Sequence, residues 1–547
     1  MIFRPGPKVS VLLALAAGGL AAIAHPPFGI LPGLLGYALL AHLVDTAPEA
    51  RPLRAAFWRG WLCGFAYFLI GCWWVAEAFL VDARQVWMAP IAASLLPAGL
   101  GLLWGAAMVL YRWFRPERPW RWLVFAGALT TLEWVRGHLL TGFPWNLPGE
   151  TWRAGSPISQ SAAVFGAYGL TWITLAAAAA FAALLTGANR RARMIPPILA
   201  ALALAVLWGA GELRLRHSAA SDPHAPVVRI VQPDVKEQAK FTEDNLRTIF
   251  LTYIRLTATP ARQAPDIVVW SEGAIPLSAD ELLSAGGGWA EIIREALRPG
   301  ETLMFGAYRL SGPPPKPRAY NSLIAVRAET TGLRVTGVYD KHRLVPFGEY
   351  LPAEQLLQPL GFKDLAHLSD GFDFGPAPRP IEPLGAPPVQ PLICYESLFP
   401  DLVRHAVNAG PHRPRWIVNV SNDSWFGVTS GPIQHLNQAS YRAIEEGLPI
   451  VRATPTGVSA IIDAYGRVVP GKSIGLGGKG LIDGPLPGAL PITTYGLAGE
   501  LWLGLLLAAS TMAAIARLRD VVLRTTMTIR PTWRKDRARQ NNETMPI

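Results

Sequence analysis

The chain has 547 residues, 51% of them hydrophobic and 16% charged, with a formal charge of +11 and a mean hydropathy of +0.25. That length exceeds one ordinary domain, and that apolarity excludes a purely soluble protein, so part of the chain is expected to lie in a bilayer. The positive charge is dispersed in short loops between apolar runs and in the C-terminal tail. Membrane topology explains that distribution and nucleic-acid binding does not.

The first apolar run, residues 9–24, follows Arg4 and Lys8 and ends Ala22-Ile23-Ala24, a pattern shared with cleavable leaders. It flows on through His25-Pro26-Pro27-Phe28-Gly29 into a second apolar stretch, so a retained, packed helix is the expectation. Further spans are predicted at residues 30–44, 58–79, 86–111, 122–140, 162–186 and 194–212, with a last one near 495–516. Each is close to the roughly 20 residues that cross a hydrocarbon core. Arginine and lysine collect at the N-terminus, in the second loop (Arg51, Arg54, Arg59), the fourth (Arg112, Arg115, Arg118, Arg121), the sixth (Arg190, Arg191, Arg193) and the tail. The first and third connections nearly lack them, which predicts both termini in the cytoplasm and the middle of the chain outside. In the fifth connection, Glu133 and Arg136 form an i,i+3 pair next to Thr141-Gly142-Phe143-Pro144-Trp145-Asn146. Such charges either hold helices together or meet a polar head group, and pairing between helices is the favoured reading.

From about residue 227 the pattern changes to alternating strands and helices. Strands are predicted at 227–232, 266–270, 302–308, 322–326, 391–393, 416–421 and 458–462, with helices near 244–256, 289–297, 402–409 and 435–446. This is an α/β layered domain with a buried sheet. The Pro- and Gly-rich part, residues 361–388, is too long for a simple connector and reads as a lid or binding loop. Apolar residues in and just before it (Leu356, Leu357, Leu360, Phe362, Leu368, Phe372, Phe374) suit either a lid or cover for the domain's own core.

Three cysteines give no disulfide framework. Cys63 and Cys72 lie in apolar runs, where a thiol behaves as a small filler. Cys394 alone has polar company: Val389 through Pro400 reads as strand, sharp turn and helix, an elbow that pushes one side chain out of the fold. Two other apolar runs end on reactive groups, Val268-Val269-Trp270-Ser271-Glu272 on a carboxylate and Val338-Tyr339-Asp340-Lys341 on an ammonium. A free thiol has a pKa of about 8.5, so a nucleophilic cysteine needs a base or a nearby cation. Glu272 is the candidate base, and Lys341 the candidate stabiliser of the thiolate and of the oxyanion that follows, helped by a backbone N–H beside Cys394. His342, His405, His412 and His435 have no zinc-like spacing, and no metal is expected.

The words around these three residues carry a resemblance. Trp270-Ser271-Glu272-Gly273-Ala274-Ile275-Pro276, the segment from Tyr339 to Tyr350 and Cys394-Tyr395-Glu396 resemble the Glu, Lys and Cys motifs of the nitrilase superfamily. With the membrane spans they resemble the apolipoprotein N-acyltransferase family over nearly the whole chain. Asn422-Asp423-Ser424-Trp425-Phe426-Gly427, Gln434-His435, Arg442-Ala443-Ile444-Glu445 and Pro26-Pro27-Phe28-Gly29 extend the likeness. The resemblance implies a multi-pass α-helical membrane unit plus an α/β nitrilase-like αββα sandwich domain. It divides the chain into a seven-helix membrane unit (1–215), a periplasmic catalytic domain (216–490), a final transmembrane helix (491–518) and a basic cytoplasmic tail (519–547). It implies transfer of an acyl chain from a phospholipid to the cysteine as a thioester, then to the α-amine of a diacylglyceryl-modified apolipoprotein, in the bacterial inner membrane. A monomer without a cofactor is expected.

Carried over by position, Glu272 is the general base, Lys341 the oxyanion stabiliser and Cys394 the nucleophile. Glu349, Tyr395 and Glu396 fall on further positions the family needs for activity. Phe241 falls where the family often has a tryptophan near the substrate entrance. Tyr395 and Trp425 either line the acyl pocket or pack beneath it. Ser271, Ser424 and Pro455 stand where the family commonly has proline, alanine and asparagine; none of these departures removes a catalytic group. Two rivals share the motifs: a membrane-tethered amidase or nitrilase, and a membrane scaffold or transporter with an idle nitrilase-like module. Eight predicted spans are more than a hydrolase of soluble amides needs, and an idle copy would be expected to have lost one of the three groups.

Overall fold

The computed structural model describes every residue except 1–3, 117–119, 187–188, 218–221, 238–242, 285, 314–316, 353–370 and 530–547. Phe241 and the apolar residues Leu356, Leu357, Leu360, Phe362 and Leu368 therefore lie outside the described residues. Seven helices come first: α1 (Pro7–Ile23), α2 (Leu35–Asp45), α3 (Pro52–Cys72), α4 (Ala89–Phe114), α5 (Arg121–His138), α6 (Ala162–Ala180) and α7 (Arg190–Arg216). Proline in the first turn opens α1, α3 and α4, where its missing N–H costs nothing. Four segments, Pro52–Leu80, Val86–Phe114, Ile158–Leu185 and Arg190–Arg216, are long and apolar enough to cross a membrane, and Pro7–Ile23, Leu31–Asp45 and Leu501–Ile515 are shorter apolar helices. Cys63 and Cys72 are free, buried thiols packed in this unit.

Inside α5 the Glu133–Arg136 pair is wholly buried and holds structure together. Trp104 Nε1 on α4 donates to Glu133 Oε1 at 2.8 Å and Arg136 Nε donates to the same oxygen at 3.1 Å. The guanidinium also donates to the carbonyls of Phe143 and Trp145, so the pair fixes the loop after α5.

The α/β domain has two sheets where its long apolar strands suggested a buried sheet without fixing the number of layers. One has the order β11-β1-β2-β3-β4-β5, built from β1 (Val227–Gln232), β2 (Ile267–Val269), β3 (Thr302–Ser311), β4 (Arg318–Glu329), β5 (Gly332–Asp340) and β11 (Gly480–Pro485). The other has the order β10-β9-β8-β7-β6, from β6 (Val389–Ile393), β7 (Trp416–Val420), β8 (Ile450–Ala453), β9 (Ser459–Ile462) and β10 (Val468–Ile474). Strands β8, β10 and β11 were not among the predicted ones, and β5 is marked in the sequence only at its end, by the run leading to Lys341; β5, β10 and β11 contain glycine or proline, which weakens a periodic signal.

Side-chain alternation sorts the layers. Ile267 and Val269 of β2 face Val418, Val420 and Ile393 of the other sheet in one core, while Val268 packs with Phe250, Tyr253 and Ile293. Those come from helices α8 (Glu243–Thr257) and α10 (Trp289–Ala296), with the short α9 (Ala279–Leu283) between them. On the far side, Leu392 and Ile417 share a cluster with α11 (Pro400–Val407) and α12 (Gly431–Glu446) that continues into the membrane helices. The result is helix, sheet, sheet, helix, with the second helical layer seated directly on the membrane unit. Short α13 (Thr494–Ala498) leads into the closing helix α14 (Leu501–Ile529). The seat is partly polar: Gln434 Oε1 on α12 accepts from Trp145 Nε1 at 2.9 Å and Trp74 Nε1 at 3.2 Å.

Candidate active site

Three strand ends build the site. After β2 the chain stays in register with β3, Trp270 N donating to Met304 O and Gly306 N to Ser271 O, which delivers Glu272 at a fixed height. Only glycine fits at 306, because a Cβ there would lie 2.5 Å from Glu272 Cα. After β5, Lys341 N donates to Asn321 O at 2.8 Å, extending the ladder with β4 by one residue. After β6, Cys394 takes φ +48°, a conformation rare outside glycine, and opens a 3-10 turn, Cys394–Leu398. That is the elbow expected from the sequence, with its strain located on Cys394 itself.

The side chains converge. Lys341 Nζ lies 3.2 Å from Glu272 Oε1 and 2.9 Å from Glu349 Oε1, and its side chain is 1% exposed. Asn321 Nδ2 donates to both carboxylates, at 2.7 Å each, so one amide and one ammonium tie Glu272 to Glu349. Asn422 N donates to Glu272 Oε2 at 2.7 Å, and Val345 N to Glu349 Oε2 at 2.8 Å. Burial opposes the Lys341 charge, but the carboxylates of Glu272 and Glu349 outweigh it and hold the ammonium well above the ordinary lysine range. Burial raises the Cys394 thiol, the Glu272 carboxylate raises it further, and Lys341 only partly opposes them. The resting thiol is thus protonated, and a base must take its proton when it reacts.

The supporting residues divide by task. Glu396 is fully buried and held by four donors: its Oε1 accepts from Tyr339 OH at 2.9 Å, His342 N at 2.8 Å and Arg343 N at 3.2 Å, and its Oε2 from Ile393 N at 2.8 Å. It staples the cysteine elbow to the lysine loop. Tyr395 packs edge-on against Phe399, ring centroids 5.0 Å apart, and its hydroxyl donates to Gly142 O in the loop after α5. Trp425 is half-buried on the 3-10 turn Asp423–Phe426 after β7.

Beneath the elbow lies a network that sequence reasoning missed. His435 Nδ1 is 3.0 Å from Asp423 Oδ1, its Nε2 is 3.3 Å from the Cys394 carbonyl oxygen, and Arg452 Nη2 donates to Asp423 Oδ2 at 2.8 Å. Burial acts against the Asp423 charge, yet Arg452 and His435 hold its carboxyl well below the usual range. Among the described residues no group of three or more His, Cys, Asp or Glu is arranged to hold a metal ion.

A two-sheet sandwich whose strand ends unite a buried Glu, Lys and Cys defines a nitrilase-type cysteine enzyme, here carried on a helical membrane unit. Residues 228–486 match the Carbon-nitrogen hydrolase family model, and residues 17–180 match that of the Apolipoprotein N-acyltransferase N-terminal domain. The chain belongs to the apolipoprotein N-acyltransferase family and is an acyltransferase. It is 54% identical to the apolipoprotein N-acyltransferase of Caulobacter vibrioides, over 95% of this chain and 97% of that one. The proteins of that name from Rhodopseudomonas palustris and Bradyrhizobium diazoefficiens are 39% and 37% identical, over 93% and 92% of this chain and 95% and 94% of theirs. Among solved structures, an amidase from Nesterenkonia sp. AN1 aligns at 18% identity with a TM-score of 0.33, over 49% of this chain and 94% of that chain.

Proposed function

We propose that this enzyme moves a fatty acyl chain from a membrane phospholipid to the α-amine of the diacylglyceryl-cysteine of apolipoproteins, through a thioester on Cys394. Glu272 takes the Sγ proton as sulfur attacks the ester carbonyl. The oxyanion forms against the Lys341 ammonium and a backbone N–H beside Cys394. Collapse breaks the ester C–O bond, Glu272 returns the proton to the leaving alkoxide, and a lysophospholipid departs. The amine then attacks the thioester, Glu272 takes its proton, and the thiol is regenerated with the amide formed. Glu349 holds Lys341 from the other side, Glu396 fixes the elbow, Tyr395 anchors it to Gly142, and Trp425, half-buried on the turn after β7, is assigned to the path of the acyl chain.

The observation that carries this reading is a buried ammonium bridging two carboxylates at a strained cysteine elbow whose helical layer rests on a membrane unit. Loop arginines support both termini in the cytoplasm of a bacterial inner membrane, with residues 216–490 as a periplasmic catalytic domain, 1–215 and 491–518 in the bilayer and 519–547 as a cytoplasmic tail. The enzyme acts as a monomer.

The test is intact mass of the purified protein after incubation with a phospholipid, beside Cys394→Ala, and again after adding a diacylated lipopeptide with a free N-terminal amine. A hydroxylamine-sensitive acyl adduct that moves to the lipopeptide is the expected result. An adduct lost equally fast without lipopeptide identifies a hydrolase, and none with any phospholipid overturns the reading.

A further inference from the structure

The loop that follows α5 carries Leu139 and Leu140 with their side chains 55% and 93% exposed, an apolar tip beside the membrane unit. The next two residues turn inward and are gripped by the catalytic domain. Arg343 Nη1 donates to Thr141 O at 3.1 Å, and the Tyr395 hydroxyl donates to Gly142 O. Phe399 closes the grip: the Arg343 guanidinium lies 4.8 Å from its ring centre, and Tyr395 meets it edge-on. Gly142 has φ +77°, and a Cβ on it would fall 2.0 Å from Gly137 O and 3.0 Å from the Phe399 ring, so only glycine fits in the grip. Across the same joint His138 Nε2 stands 3.7 Å from Asp401 Oδ2.

The two gripping side chains sit next to the reacting ones in sequence but come from opposite sheets. Arg343 is two residues beyond Lys341, at the end of β5, and Tyr395 directly follows Cys394, at the end of β6. Both halves of the site are thereby tied to one membrane-side turn, and a displacement of that turn reaches the ammonium and the sulfur together. Misplacement by about 1 Å at a reacting centre can cost about a hundredfold in rate. We propose that Arg343 is a positioning residue: it locks the lysine loop to the Thr141–Gly142 turn, so that the site is aligned with an ester presented from the bilayer. The inference rests on the acyl-transfer reading and goes beyond it, because it separates delivery of the lipid donor from the chemistry of the thiol.

The experiment uses the full-length protein reconstituted in vesicles of phosphatidylethanolamine and phosphatidylglycerol, as wild type, Arg343→Ala and Arg343→Lys. Two reactions of Cys394 are followed by intact mass: acylation by the vesicle lipid, and alkylation by iodoacetamide with Cys394→Ser as the blank. Loss of the joint is expected to slow acylation by about tenfold or more in Arg343→Ala, with a partial return in Arg343→Lys. Alkylation, which needs only an accessible and ionisable thiol, is expected to stay within about twofold of wild type. An equal fall in both reactions, or acylation within about twofold of wild type in both variants, overturns the proposal. Should wild type itself form no acyl adduct while its thiol alkylates normally, the acyl-transfer reading fails, and that result is distinct from a failure of the joint. Arg343→Lys keeps the charge and the aliphatic stem, so it decides the matter even where Arg343→Ala does not fold.

Discussion

Lys341→Met separates what the buried ammonium does for the fold from what it does for the chemistry. In the native site one cation faces two carboxylates, at 3.2 and 2.9 Å, and the three side chains are 1%, 9% and 12% exposed, so solvent screening reduces the interaction little. Among the described residues, removing the cation leaves Glu272 and Glu349 with Asn321 and two backbone donors, and breaking a buried pair in this way costs about 3–5 kcal/mol. Acyl-enzyme formation is expected to fall by about 10²–10³-fold with the loss of the oxyanion partner. Adding Glu349→Gln to Lys341→Met removes one uncompensated charge, a gain that outweighs the cost of turning its amide NH2 toward one of the two donors, Asn321 Nδ2 or Val345 N. The double variant should therefore regain about 1–3 kcal/mol over the single one, with no return of activity. Apparent unfolding temperature in detergent at pH 7 gives the stability order, and intact mass with phospholipid gives the acylation rate. The expected order is wild type, double variant, Lys341→Met. A double variant as unstable as Lys341→Met, or less stable, refutes the electrostatic account of this site.

Other expectations follow from single contacts. Glu396→Gln turns an amide toward one of the donors that now meet a carboxylate, which costs about 2–3 kcal/mol and should slow thioester formation by at least about tenfold; an unchanged acylation rate by intact mass would remove its role as a staple. Because burial and Glu272 keep the Cys394 thiol protonated, alkylation by iodoacetamide should climb by about tenfold per pH unit from 7 to 9; a plateau below pH 8 would mean a preformed thiolate. Burial and repulsion from Glu445 push the Glu446 carboxyl up to about 8, and both of its oxygens are buried without a hydrogen-bond donor among the described residues. The folded state thus keeps a proton that the unfolded chain releases near 4.5, so this group's contribution is complete below that pH and is lost as pH rises toward 8. The unfolding temperature should fall across that window, and Glu446→Gln should flatten the profile.

Much of this architecture was legible because composition reports it directly. Long apolar runs marked the helices of the N-terminal unit, four of them long and apolar enough to cross a membrane, and a run ending on Glu272, Lys341 or Cys394 marked a strand that hands a polar group to the sheet rim. The two sheets were legible only through the resemblance, which implied an αββα sandwich; the apolar pattern alone could not give their number, since a strand buried on both faces reads as one continuous apolar run whether its neighbour is a helix or a second sheet. Asn321 was missed for a related reason. It is a single amide inside β4, and only the register that sets Ser322 opposite Asp340 brings it beside the two carboxylates. Asn422 acts on Glu272 through its backbone N–H, which no residue type announces. Asp423, Arg452 and His435 are ordinary polar letters until β7, β8 and α12 bring them together under the elbow.

The elbow explains why neighbours of a nucleophile are hard to assign from sequence. In a regular strand, residues 394 and 396 would share a face and 395 would take the other. Positive φ at Cys394 followed by a 3-10 turn abolishes that rule. Cys394 sits with the core between the two sheets, Tyr395 reaches Gly142 in the membrane unit, and Glu396 turns to the lysine loop. On the proposed mechanism these three consecutive residues serve reaction, delivery and bracing, and substitutions at each should fail differently. Loss of the thiol abolishes the adduct, a slack joint spares the thiol but slows its acylation by membrane lipid, and a lost brace weakens both the fold and the reaction. A common phenotype for all three would mean that the turn acts as one unit and that these directions carry no separate function.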